Sequence, residues 1–207
     1  MSKALHLIGV TGGIGSGKSE VCRMLASLGC RVFSADMEAK HIQETDTDVI
    51  TGIRHLFGEN IYTETPEGKF IPDRQRISKV VFSDSEKLQK LNNLIHPKVF
   101  ASFERAKQDA KAEGQAVLVK EAAILFEAGG AKGLDKIVVV AADDEKRIAR
   151  AMSRGTLTEA EVRRRMSNQW PQEELVKRAD LVIYNNGTLE ELQAQVERTL
   201  ALILGCD

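Results

Sequence analysis

Apolar positions fall along the chain in short runs separated by longer amphipathic stretches. Residues 5–10 form an apolar run that ends at glycines, the pattern of a buried strand. From Lys18 the pattern changes to that of a helix, with Val21, Leu25 and Leu28 on one face and Gly29 as the stop. Residues 31–34 are short, β-prone and bounded by Ala35-Asp36, which predicts a second strand. Helical pattern resumes over 38–43 and 48–56. Within 58–72, Pro66-Glu67-Gly68-Lys69 marks a turn between two short strand-like pieces. Helices are then expected over 74–81, 86–95 and 98–113; the middle one should stop before His96-Pro97, because proline disfavours helix at the residue before it. Strands are expected at 116–120, 136–141 and 181–184, with helices at 145–153, 159–169, 173–179 and 189–204.

Strands alternating with helices imply an α/β fold with a parallel sheet between two helical layers. The helical stretch 73–113 interrupts the alternation and is expected to form a substrate-side lobe of one domain spanning 1–207. Composition narrows the class. Hydrophobic residues are 43% of 207, enough for a sizeable core, and the formal net charge is -1, which argues against a general polyanion binder such as a nucleic-acid protein. Cys22, Cys30 and Cys206 are odd in number and contain no C-x-x-C pair, so neither a disulfide framework nor a zinc site is expected. The apolar stretch near the N-terminus is too short for a signal peptide, and no window reaches the length of a membrane span. A cytoplasmic protein with reduced thiols is the expectation; oligomeric state is not readable.

The chemistry begins at Gly12-Gly13-Ile14-Gly15-Ser16-Gly17-Lys18-Ser19, a complete G-x-x-x-x-G-K-[ST] phosphate loop between a strand and a helix. Its glycines let backbone N–H groups turn onto a phosphate, and the following helix presents further free N–H groups. Lys18 brings a full charge to the β- and γ-phosphates, and Ser19 offers a hydroxyl to Mg²⁺. Glu20 follows in the same first turn and is counted with the nucleotide-binding residues. The loop alone does not separate kinase, GTPase and motor. No N-K-x-D guanine signature accompanies it, and a kinase needs two further parts, an acceptor-side base and an arginine-bearing lid. Asp36, directly after the second strand, is the base candidate; it could equally be a helix N-cap. Arg147, Arg150 and Arg154 share a helix face, and Arg163, Arg164 and Arg165 open a second cluster, so a lid is expected over about 147–170. A solvated basic face is the competing reading.

Taken in order, these residues resemble the dephospho-CoA kinase family over almost the whole chain. The resemblance runs from Thr11-Gly12-Gly13-Ile14-Gly15-Ser16-Gly17-Lys18-Ser19 through Ser34-Ala35-Asp36, Phe57-Gly58, Asp73-Arg74 and Val81-Phe82. It continues with His96-Pro97, Leu125-Phe126-Glu127, Arg150, Arg154, Gln169, Arg178-Ala179-Asp180 and Asn185-Asn186-Gly187. The chain departs from the family's pattern at Glu121, Ala123, Gly155 and Tyr184. The resemblance implies a P-loop kinase fold with a helical substrate-side lobe and a lid. It implies transfer of the ATP γ-phosphate to the ribose 3′-hydroxyl of dephospho-CoA, with Mg²⁺. Asp36, Lys18 and Arg150 would then be catalytic. Gly13 to Ser19, Glu20, Arg150, Arg154, Asn185 and Asn186 would hold ATP; Asp36, His96 and Leu125 would face the acceptor. Another small-molecule or nucleoside kinase, or a nucleotide-dependent protein-binding switch, stays open at this point.

Overall fold

The computed structural model describes residues 4–153, 155 and 157–205. Two compact units divide the chain, one made of residues 1–34 with 106–207 and the other of residues 35–105. The sequence places the lobe at 73–113; the second unit instead starts at residue 35, because the two helices after the second strand pack within it.

The first unit is built on five parallel strands: β1 (His6–Thr11), β2 (Arg31–Ser34), β5 (Val117–Glu121), β6 (Lys136–Ala141) and β7 (Leu181–Tyr184). They lie in the order β2-β5-β1-β6-β7. The strand residues alternate between faces, as a pleated sheet requires. Ile8, Val10, Val119, Val138, Val140 and Ile183 point one way, into a core shared with Val21 and Leu25 of α1 (Lys18–Ser27) and Leu192 and Val196 of α9 (Leu189–Leu204). Gly9 faces the other way. A Cβ there would lie 2.7 Å from the side chains of both Leu125 and Leu134, so this strand position has room only for hydrogen. Cys22 and Cys30 are buried in the core, and burial lifts their thiol pKa values to about 12 and about 11. Cys206 lies outside the described residues.

The same unit carries α6 (Asp144–Ser153), α7 (Glu159–Ser167) and α8 (Gln172–Lys177). Thr158 opens α7 with a capping box shared with Glu161. Ile148 and Ala151 of α6 pack on Val162 of α7, so the two arginine-bearing helices share a small apolar core of their own.

The second unit holds α2 (Ala35–Thr45), α3 (Thr47–Phe57), the antiparallel hairpin β3 (Tyr62–Glu64) and β4 (Phe70–Pro72), α4 (Arg74–Ser83) and most of α5 (Ser85–Ala112). The hairpin and its turn fall where the sequence puts them. The expected break at His96-Pro97 does not occur: α5 is a single helix of 28 residues with Pro97 inside. Proline deletes one helical hydrogen bond at a cost of about 3 kcal/mol or more. Leu91, Ile95, Val99 and Phe103, spaced by four, are all buried on one face, and that burial outweighs the missing bond. Among the described residues no helix is long and apolar enough to cross a membrane.

Candidate active site

Residues 12–17 connect β1 to α1 as a tight loop. Gly15 and Gly17 have φ of 76° and 96°, a region that favours glycine. Their missing side chains also make room for neighbours: a Cβ on Gly15 would strike the Arg147 backbone, and one on Gly17 the Asn185 amide. No side chain caps α1 at Gly17, and the start of the helix, Gly17 to Ser19, lines the cavity over the loop, where the positive end of the helix dipole favours an anion. Ser16 departs from the expected role. It is wholly buried, its N–H donates to Gly13 O at 3.1 Å, and its carbonyl accepts from Asn185 Nδ2 at 2.9 Å. Ser16 therefore shapes the loop from within and is not part of the cavity wall.

Lys18 Nζ donates to Glu121 Oε1 at 2.7 Å, and Ser19 Oγ donates to the same oxygen at 3.3 Å. Glu121 ends β5, the strand beside β1, so parallel pairing delivers its carboxylate to the end of the loop. Burial opposes ionisation of Glu121. The Lys18 hydrogen bond and charge, with the Ser34 and Ser19 hydroxyls, outweigh it and hold the carboxyl below its ordinary range. From sequence, Glu121 stands out only as a departure from a family pattern. Its role depends on contacts across the sheet.

A cavity of about 400 Å³ opens over the loop. Gly12, Gly13, Ile14, Gly15, Gly17, Lys18 and Ser19 form its floor; Ala123, Ile124, Arg165, Asn168 and Gln169 form its wall. Gln169 ties wall to floor: Ile14 N–H donates to its Oε1 at 2.9 Å, and its Nε2 donates to Ala123 O at 3.4 Å. Next along the chain, Trp170 N–H donates to Glu127 Oε1 at 3.2 Å. The Trp170 ring lies parallel to Phe126 at 5.9 Å, with the Arg178 guanidinium 4.8 Å from its centre. Trp170 thus packs between α7 and α8, against Phe126 and Arg178.

The lid arginines separate by partner. Arg147, 5% exposed, donates from Nε to Ile14 O at 3.2 Å and from Nη1 to Asp144 Oδ1 at 2.8 Å, bracing the loop from behind. Arg150 donates to Asn185 O at 3.0 Å and Asn185 Oδ1 at 3.3 Å. Both Arg150 and Asn185 line a second cavity, of about 320 Å³, with Gly15, Gly17, Glu20, Gly187 and Leu189. Arg150 therefore borders a different cavity from Lys18, though the two share Gly15 and Gly17 of the loop. Among the described residues, Arg165, on α7, is the arginine that lines the cavity containing Lys18. Asn186 faces neither cavity: it accepts from Asp143 N at 2.8 Å, donates to Asp143 Oδ1 at 2.8 Å, and so braces the turn after β7. Arg154 lies outside the described residues.

The acceptor-side candidates divide likewise. Asp36 is the second residue of α2, inside the first turn and not at the N-cap. It lines a cleft of about 480 Å³ with Ala39, Lys40 and Gln43 of α2 and Arg74, Ile77, Ser78 and Val81 of α4. His96 sits in mid-helix on α5 with its ring 6.3 Å from Phe100, outside that lining, and burial lowers its pKa. Leu125 corrects an expectation: with 0% exposure it belongs to the core over Gly9, so it supports the sheet and has no surface to offer a substrate.

A family model described as dephospho-CoA kinase matches residues 6–191. A curated dephospho-CoA kinase of Chlorobaculum tepidum is 54% identical over 198 residues, covering 96% of this chain and 95% of its own. Among solved structures, a Thermus thermophilus protein is 33% identical with a TM-score of 0.81, covering 97% of this chain and 98% of its own. Dephospho-CoA kinase from Campylobacter jejuni is 27% identical with a TM-score of 0.71, covering 98% of each chain.

Proposed function

The chain belongs to the dephospho-CoA kinase family, and we propose that it moves the γ-phosphoryl of ATP to the ribose 3′-hydroxyl of dephospho-CoA. Its reaction is the ATP-dependent phosphorylation of dephospho-CoA in coenzyme A biosynthesis. The observation that carries the site assignment is the cavity over the loop, where Lys18, the start of α1 and Arg165 converge. Such a site stabilises the negative charge spread over a phosphoryl group in transit, and does so with groups already in place.

In this reading the glycine loop and Lys18 hold the β- and γ-phosphates. Arg150 and Asn185, with the second cavity, take the nucleoside end. Asp36 accepts or orients the acceptor's hydroxyl proton. Mg²⁺ fits the residues present: Ser19 Oγ and Glu121 at the loop's end form an oxygen-only donor set, which suits a hard cation. Bound there, the ion would neutralise charge on the phosphate oxygens. Glu121 would hold the Lys18 side chain at the end of the loop before nucleotide arrives, and would then give it up to the phosphates. The cytoplasm is the compartment this reading assigns.

The test is ATP with dephospho-CoA, read by mass spectrometry for a gain of one phosphoryl group on the acceptor and for its position. Coenzyme A is the expected product, and Lys18→Ala should lose on the order of a hundredfold or more in rate while melting near the wild type. Slow ATP hydrolysis without a phosphorylated acceptor would point instead to a nucleotide-dependent switch.

A further inference from the structure

Within the second unit, α2 and α4 contribute lining residues at spacings of three and four, so each turns one face to the cleft. Asp36, Lys40, Gln43, Arg74 and Ser78 supply the polar part of its lining, and Ala39, Ile77 and Val81 the apolar part. We propose that Lys40 and Arg74 bind the 5′-diphosphate of the acceptor, with Asp36 at the hydroxyl end of the same cleft. This rests on the acceptor role proposed for Asp36.

The spacing supports it. Lys40 follows Asp36 by one turn, an axial rise of about 6 Å. Dephospho-CoA carries its 3′-hydroxyl and its 5′-diphosphate on one ribose, so a group serving the first must have a cation about one sugar ring away for the second. Arg74 stands at the same end of α2: its Nη2 donates to Glu44 Oε1 at 2.7 Å and to the Lys40 carbonyl at 3.4 Å. Asp73 fixes the start of α4 by accepting from Arg76 N–H at 2.9 Å, and so fixes where Arg74 begins. Both bonds of Arg74 use one nitrogen, and its Nε is buried without an acceptor. Arginine matches the paired oxygens of a phosphate, and lysine adds a point charge. The adjacent Asp73 and Arg74 thereby divide the work, the aspartate setting the helix and the arginine reading the acceptor.

The experiment is steady-state kinetics of the full chain with Lys40→Gln and Arg74→Lys, varying each substrate in turn and the ionic strength. KM for dephospho-CoA should rise tenfold or more in each variant, KM for ATP should stay within twofold, and the salt dependence of the dephospho-CoA KM should flatten. Adenosine, which lacks the diphosphate, should compete with dephospho-CoA equally well against wild type and variants. An unchanged KM for dephospho-CoA, equal rises for both substrates, or an equal loss of adenosine binding would overturn the proposal. Lys40 is exposed, so its variant tests the cleft even where Arg74→Lys weakens the fold. A wild-type protein that makes no coenzyme A would remove the acceptor reading itself; active wild type with unaltered variants would remove only this cleft.

Discussion

Arg150 and Arg165 show how little a residue's type says about what it does. They stand on helices that pack together, yet one is held by Asn185 beside the second cavity and the other borders the Lys18 cavity. The sequence assigns catalysis to Arg150; because Arg165 lines the Lys18 cavity and Arg150 does not, we propose that role for Arg165 instead. Arg165→Ala should therefore lower kcat by about a hundredfold with little change in KM for ATP, as expected for a donor aimed at developing charge. Arg150→Ala should mainly raise KM for ATP. Initial-rate kinetics on the two variants checks this, and the opposite pattern would return the catalytic role to Arg150. Asp36 can be separated from a capping role in the same way. It lies inside α2, where asparagine would keep the size of the side chain but lose its charge and basic oxygen. Asp36→Asn should cost about a hundredfold in turnover while ATP affinity persists. Unchanged turnover would leave Asp36 with only a helix-start role.

At the scale of elements, the strands and the first helix were legible because their signals are local. The 136–141 and 181–184 strands lie where the apolar runs put them. The failure at α5 has a definite cause: a proline rule looks one residue ahead, whereas the buried row Leu91, Ile95, Val99 and Phe103 acts over the whole helix. His96 shares that helix, and its half-buried ring sets a pH dependence. Burial lowers its pKa, so the unfolded chain, with an ordinary value near 6.5, takes up a proton the folded protein resists. The stability linked to neutral His96 is complete above about pH 6.5 and falls as the pH drops from there toward the lowered folded value. Denaturant melts from pH 7.5 to 5 should show this fall, and His96→Gln should flatten it; an identical slope in the variant would assign the effect elsewhere.

Over the whole molecule, what sequence reading missed was the long-range bracing of the loop. Lys18 meets Glu121 across 103 residues, Ile14 meets Gln169 across 155, and Ser16 meets Asn185 across 169. No periodicity or local spacing encodes such pairs; they follow from the parallel order of the strands, which brings distant segments to one sheet end. The family resemblance supplied Gln169 as a position and Asn185 as an ATP contact, without the loop atoms that each holds. One of these braces has an optical consequence. Trp170 is the chain's single tryptophan, and it follows Gln169, whose side chain holds Ile14 of the phosphate loop. Its indole lies parallel to the Phe126 ring and carries the Arg178 cation 4.8 Å from its centre, an environment that colours its emission. Nucleotide arriving over Ile14 should disturb Gln169 and with it that emission, so unlabelled protein should report ATP by a saturable change in fluorescence. Gln169→Leu should uncouple the signal while the indole still fluoresces, making one residue's light a gauge of how firmly the lid segment holds the loop.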